Sequence, residues 1–162
     1  GIMFDELKTI ELSGKTYPIK CSLLVVEKIQ EEYGSVDVFE NGLLTWEPVR
    51  DENGNLLYED TDGNIFHESG EDRKIKVQGK MPKVKCVNDA LYWFAKEGEL
   101  IAAENECRPV KKITREDIVR QVDITIIKLA NILYEEFFRC FHLKNVMTTQ
   151  KTEKTKQEAS DN

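Results

Sequence analysis

The chain is poor in the residues from which reactive sites are built. In 162 residues it has two histidines, four cysteines and four prolines. Neither His67 nor His142 has Cys, His or Asp neighbours at ligand spacing, so a zinc site has no local support. No two of Cys21, Cys86, Cys107 and Cys140 make a C-x-x-C pair, which removes dithiol and zinc-ribbon readings. All but Cys107 sit among apolar residues, as expected of buried, reduced thiols in a cytosolic protein. The G-x-S-x-G elbow, the phosphate-cradling glycine loop and H-E-x-x-H are all missing, so no enzymatic activity is expected. No apolar run approaches the about 20 residues of a membrane helix. The start lacks a charged stretch followed by an apolar one, so no secretory signal is expected. With net charge -7 and no basic stripe, the chain is not expected to bind nucleic acid.

What remains is a composition suited to one core: 40% hydrophobic residues against 33% charged ones. Residues 7–12 and 15–22 alternate around Ser13-Gly14, which predicts a hairpin. Pro18 has no N–H to give to a ladder, so its side of the strand is expected at an edge. Ser22 is placed to cap a helix that runs to Tyr33, with Leu23, Val26, Ile29 and Tyr33 on one stripe and Gly34 as its stop.

Between residues 43 and 81 the pattern changes. Asp51-Glu52-Asn53-Gly54-Asn55 and Asp60-Thr61-Asp62-Gly63-Asn64 repeat nine residues apart, each followed by two apolar residues. Asn-Gly and Asp-Gly favour hairpin turns, so a β-meander insertion is expected, with strands near 44–49, 56–59, 65–68 and 74–78. Calcium ligation by Asp51, Asn53, Asp60 and Asp62 is the sharper alternative. In an EF-hand loop, however, glycine stands sixth, after ligands at positions one, three and five, and here it comes too early.

The remainder reads as three helices. Asn88 or Asp89 is expected to cap the first, with Val87, Leu91, Phe94, Gly98, Ile101 and Ala102 along its stripe. Gly98 inside that stripe implies close approach of another backbone, a kink or a break. Thr114 caps a short second helix, with Asp117 at its third position and Ile113 and Ile118 as a hydrophobic staple. Asp123 is expected to cap the last, residues 123–143, the most apolar run in the chain. There Ile126, Leu129, Ala130, Leu133, Tyr134, Phe137, Phe138, Cys140 and Phe141 cover roughly half the circumference. Lys128, Asn131, Glu135, Arg139 and His142 share the polar face, and Glu135-Glu136 reads as a pair of solvated charges. Trp46 and Trp93 are candidate partner anchors, Trp93 more naturally at the core rim. The predicted class is therefore α+β. A mainly helical domain (1–42 and 82–144) carries an N-terminal hairpin, the β-meander insertion spans 43–81, and a disordered polar tail covers 145–162.

The segments ELSGKTYPIKCSLLVVEKIQEEYGSVDVF, NDALYWFAKEGELIAAE and ITREDIVRQVD, in that order before a long closing helix, resemble the tail assembly chaperones of long-tailed bacteriophages. The resemblance covers residues 8–34 and 84–143; residues 43–81 depart from that family's compact pattern. It implies a non-enzymatic protein without cofactor, working in the bacterial host cytoplasm and absent from the mature virion. The implied partners are the tape-measure protein, kept soluble, and tail-tube subunits. Self-association along an extended client would suit such a role, although no heptad seam specifies an oligomer. The residues expected to meet the client are Leu129, Leu133, Tyr134, Phe137, Phe138 and Phe141 on the last helix, with Leu91 and Phe94 on the earlier stripe. The same residues packing together as core is an equal reading. A structural or tail-completion protein of the phage tail, and an enzyme or metal protein using His67 and the Asp/Asn turns, are the alternatives.

Overall fold

The structure, a computed structural model, describes residues 7–143. The polar tail expected at 145–162 and the side chain of His142 lie outside the described residues. The fold is α+β: helices around one core, with small antiparallel sheets.

β1 (Lys8–Leu12) and β2 (Lys15–Ile19) form the expected hairpin, turning through Ser13 and Gly14, both at positive φ (50° and 76°). Its inner face contributes Ile10, Leu12 and Ile19 to the core. α1 (Leu23–Tyr33) is capped as expected: the Ser22 hydroxyl accepts from the Val25 N–H, and the Gly34 N–H closes onto the Gln30 carbonyl. Its buried side is Val25, Val26 and Ile29, so the expected stripe rotates and Leu23 faces water at 78% exposure. α2 (Val36–Leu43) is an additional helix, capped by Ser35, that buries Val36, Phe39 and Leu43 at i, i+3 and i+7.

The 43–81 insertion is an antiparallel arm of short strands: β3 (Trp46–Pro48), β4 (Tyr58–Glu59), β5 (Ile65–Phe66), β6 (Lys74–Ile75) and β7 (Val77–Gly79). β4 lies between β5 and β6, while β7 returns beside β3 and closes the base of the arm. The nine-residue repeat is two copies of one turn. Asp51 Oδ1 accepts from the Asn53 and Asn55 N–H groups at 2.9 Å each, and Asp60 Oδ1 from Asp62 and Asn64 at 3.0 and 2.9 Å. Gly54 and Gly63 take φ of 81° and 82°, which explains the glycine in each copy. Hydrogen bonds hold both carboxyls below their usual range, led by the Asn55 N–H at Asp51 and by the Asn64 side-chain amide at Asp60.

α3 (Val84–Asn105) is one unbroken helix. It starts at Lys83, without a side-chain cap, so Asn88 and Asp89 are interior residues and not caps. Gly98 settles as a close approach: a Cβ there would sit 2.2 Å from the Pro18 carbonyl oxygen. The hairpin therefore lies directly on α3, with the Lys20 N–H donating to the Phe94 carbonyl at 2.9 Å. α4 (Arg115–Arg120) has the expected Thr114 cap, accepting from the Asp117 N–H at 3.2 Å. α5 (Ile126–Phe138) is capped by Thr125, not Asp123, and continues as one π turn, Arg139–Leu143.

Candidate partner-binding surfaces

The residues expected to meet a client divide sharply by exposure. Leu91, Phe94, Leu133 and Phe137 are fully buried, and Leu129 nearly so. Phe137 stands edge-on to Phe39 at 5.6 Å and stacks on Phe141 at 5.6 Å. These five are core, which corrects their assignment to an outer surface. Tyr134 and Phe141 are half-buried against the same cluster, and Phe138 is 38% exposed beside Tyr134. The wide apolar arc of α5 is thus consumed largely by the fold, because β1–β2, α2 and α3 surround it.

Three buried acids hold the elements in place. Asp89 accepts from the Tyr33 hydroxyl (2.6 Å), Lys85 (2.8 Å) and Arg115 (3.0 Å), joining α1, α3 and α4. Burial alone would raise its pKa, but the bonds from Lys85, Tyr33 and Arg115 outweigh it and hold the carboxyl below its usual range. The Tyr33 hydroxyl is correspondingly pushed up, by burial first and then by the bond to Asp89. Glu99 takes a bidentate guanidinium from Arg108 (2.7 and 2.9 Å) and the Lys111 N–H (2.7 Å), pinning the 106–113 link to α3. Arg108 chiefly depresses its pKa. Glu136, expected to be solvated, is 2% exposed. It accepts from the Cys21 N–H at 2.7 Å and from Arg139, tying α5 to the end of the hairpin. Cys21 is buried, and its thiol is pushed up by a hydrogen bond with Cys140 and by burial.

Apolar surface remains elsewhere. At the start of α1, Leu23 and Leu24 are 78% and 69% exposed. Across from them α3 presents Trp93, Lys96 and Leu100, spaced three, four and seven apart and therefore on one helix face. A groove of about 320 Å³ runs between the two helices, lined by Leu24, Lys28, Trp93, Lys96 and Leu100. Lys28 and Lys96 lean over Trp93 and Tyr92, at 5.9 and 5.6 Å from the ring centroids. A second groove of about 320 Å³ shares Lys96 and Leu100 and extends the surface to Val110 and Ile113. Spacing alone did not expose this surface, since it put Leu23 on the inward stripe and assigned Leu24 to neither side. The burial of Val25, Val26 and Ile29 is what turns them outward.

On the arm, Trp46 and Val77 occupy the same sheet face and are 43% and 51% exposed. His67 lies 3.5 Å from Asp51, and among the described residues no group of three or more Cys, His, Asp or Glu is arranged to hold a metal ion. Among the same residues no helix is long and apolar enough to cross a membrane. No family model, curated protein or solved structure matches the chain.

Proposed function

We propose that the protein is a phage tail assembly chaperone that binds the amphipathic helices of a tape-measure protein and helps recruit tail-tube subunits. It would act in the host cytoplasm and leave before the virion matures. The observation that carries this reading is the exposed α1–α3 groove. A helix laid into it would place apolar side chains at i and i+4 or i+7 against Leu24, Trp93 and Leu100. The proposed client surface thereby moves from α5, whose Leu129, Leu133 and Phe137 are core, to the groove between α1 and α3. No catalytic step is part of this role, and an acidic body of net charge -7 suits a protein that keeps an apolar client in solution.

The test is co-expression with an amphipathic helical fragment of a phage tape-measure protein. Wild type should bring the fragment into the soluble fraction, and the double variant Leu24→Asp, Leu100→Asp should lose that ability while keeping its circular dichroism. Equal solubilisation by both proteins would remove the groove as the client site. The second reading, a structural or tail-completion protein, rests on the exposed Trp46–Val77 face of the arm. It expects the chain in purified mature particles by mass spectrometry, where the chaperone reading expects none.

A further inference from the structure

We infer that the outer edge of β1 is a strand-addition site for an extended, uncharged segment of a partner protein. In a hairpin with a two-residue turn, the pair flanking the turn exchanges both backbone hydrogen bonds, and such pairs recur at every second residue. Here those pairs are Leu12↔Lys15, Ile10↔Tyr17 and Lys8↔Ile19. The N–H and C=O groups of Thr9 and Glu11 therefore point away from β2. Pro18, which has no N–H to give, stands opposite Thr9 in a non-bonded pair, as this register requires. The far side of β2 is covered by α3 through Lys20 and Gly98. Among the described residues β1 has no strand partner on its outer side, because its sheet has two strands only.

A groove of about 370 Å³ runs along this open edge, lined by four consecutive β1 residues, Lys8 to Glu11. Its far wall is Ile124 and Ile132, both half-buried, and Ile10 and Ile19 lie beneath. A third strand would hydrogen-bond to Thr9 and Glu11 and set every second side chain against that isoleucine wall. The rim identifies the occupant. Lys8 and Lys128 oppose Glu11 and Glu135, two charges of each sign, while Glu136 is already paired with Arg139. In a chain of net charge -7, this groove is locally neutral and complements a strand with apolar residues at alternate positions and no net charge. This surface lies on a different wall from the α1–α3 groove and does not rest on the chaperone reading.

The full chain is titrated with the capped, labelled peptide Thr-Val-Thr-Val-Thr-Val-Thr, with binding read by fluorescence polarisation and amide exchange by NMR. Saturable binding should slow exchange of the Thr9 and Glu11 amides by about tenfold or more. Glu11→Pro deletes one outward N–H and leaves the β1–β2 ladder intact; it should weaken binding about tenfold, and Glu11→Ala should not. Ile132→Glu, which charges the far wall and leaves β1 untouched, should weaken binding equally if Glu11→Pro fails to fold. Four results would each overturn the proposal. They are no binding at millimolar peptide, wild-type binding by folded Glu11→Pro and Ile132→Glu, protection of these amides in a peptide-free dimer (a second copy seated there), and protection in the peptide-free monomer (another segment of this chain seated there).

Discussion

At Gly98 one methyl group has two opposed effects. Alanine is the better helix former by about 1 kcal/mol. Its Cβ would, however, meet the Pro18 carbonyl oxygen at 2.2 Å, with further β2 backbone behind it. The hairpin cannot withdraw without losing the Lys20–Phe94 bond, so Gly98→Ala should destabilise the protein by about 1–3 kcal/mol in urea unfolding. A neutral or stabilising result would mean that β2 yields freely. Glu136 gives the companion case. Glu136→Ala leaves the buried Cys21 N–H and the Arg139 guanidinium without their acceptor, and should cost about 3 kcal/mol in the same measurement. The first of these sites is partly legible in sequence, because glycine on an apolar helical stripe signals a close neighbour. The second is not. Glu135 and Glu136 are identical residues side by side, and only the arrival of Cys21, 115 positions away, makes one solvated and the other a buried clasp.

Elements whose signals are short-range were legible at their ends. Ser22, Gly34 and Thr114 satisfy backbone groups within four residues, so local sequence carries the whole motif. α3 defied that logic, since Lys83 at its start offers no side-chain acceptor. α2 showed the i, i+3, i+7 pattern behind a Ser35 cap, but it is short and ends in Asn-Gly, a turn signal. The way the elements are fastened together predicts a pH dependence. Asp89 and Glu99 join α1, α4 and the 106–113 link to α3, and their folded pKa values lie below the ordinary 3.8 and 4.5. A depressed carboxyl stabilises the fold fully above its unfolded pKa and loses that contribution as pH falls through the folded one. Stability should thus be level near neutrality and decline from about pH 4.5 downward. Glu99→Gln should flatten part of that decline in pH-dependent thermal melts, and an unchanged acid limb would remove Glu99 from it. In the arm, Asp60→Ala removes the acceptor of two turn N–H groups at an exposed site. The loss should appear as faster amide exchange at Asp62 and Asn64, with the helical domain's exchange unchanged.

For the whole molecule, the question is how one small fold divides its apolar residues between core and surface. The sequence presents two apolar helical faces and no means of ranking them. α5 has the denser run, but α2, α3 and the hairpin all converge on it, so Phe137 ends fully buried among Phe39, Tyr134 and Phe141. α1 has the weaker face, yet Leu23 and Leu24 are left in water because Val25, Val26 and Ile29 already fill its contact with the core. A charge placed at each position should therefore separate folding from client binding. Phe137→Asp puts a carboxylate in the core with no partner and removes an aromatic ring whose truncation alone costs about 3–5 kcal/mol. It should abolish cooperative unfolding, and any loss of client solubilisation would follow from unfolding. Leu24→Asp replaces a side chain that is 69% exposed, and should change stability by no more than about 0.5 kcal/mol. If it nonetheless reduces solubilisation of the tape-measure fragment, the two apolar faces have different tasks, α5 holding the fold and α1 with α3 meeting the client. If Phe137→Asp folds and Leu24→Asp binds as wild type, that division is wrong and the exposed rim of α5 around Phe138 becomes the surface to test.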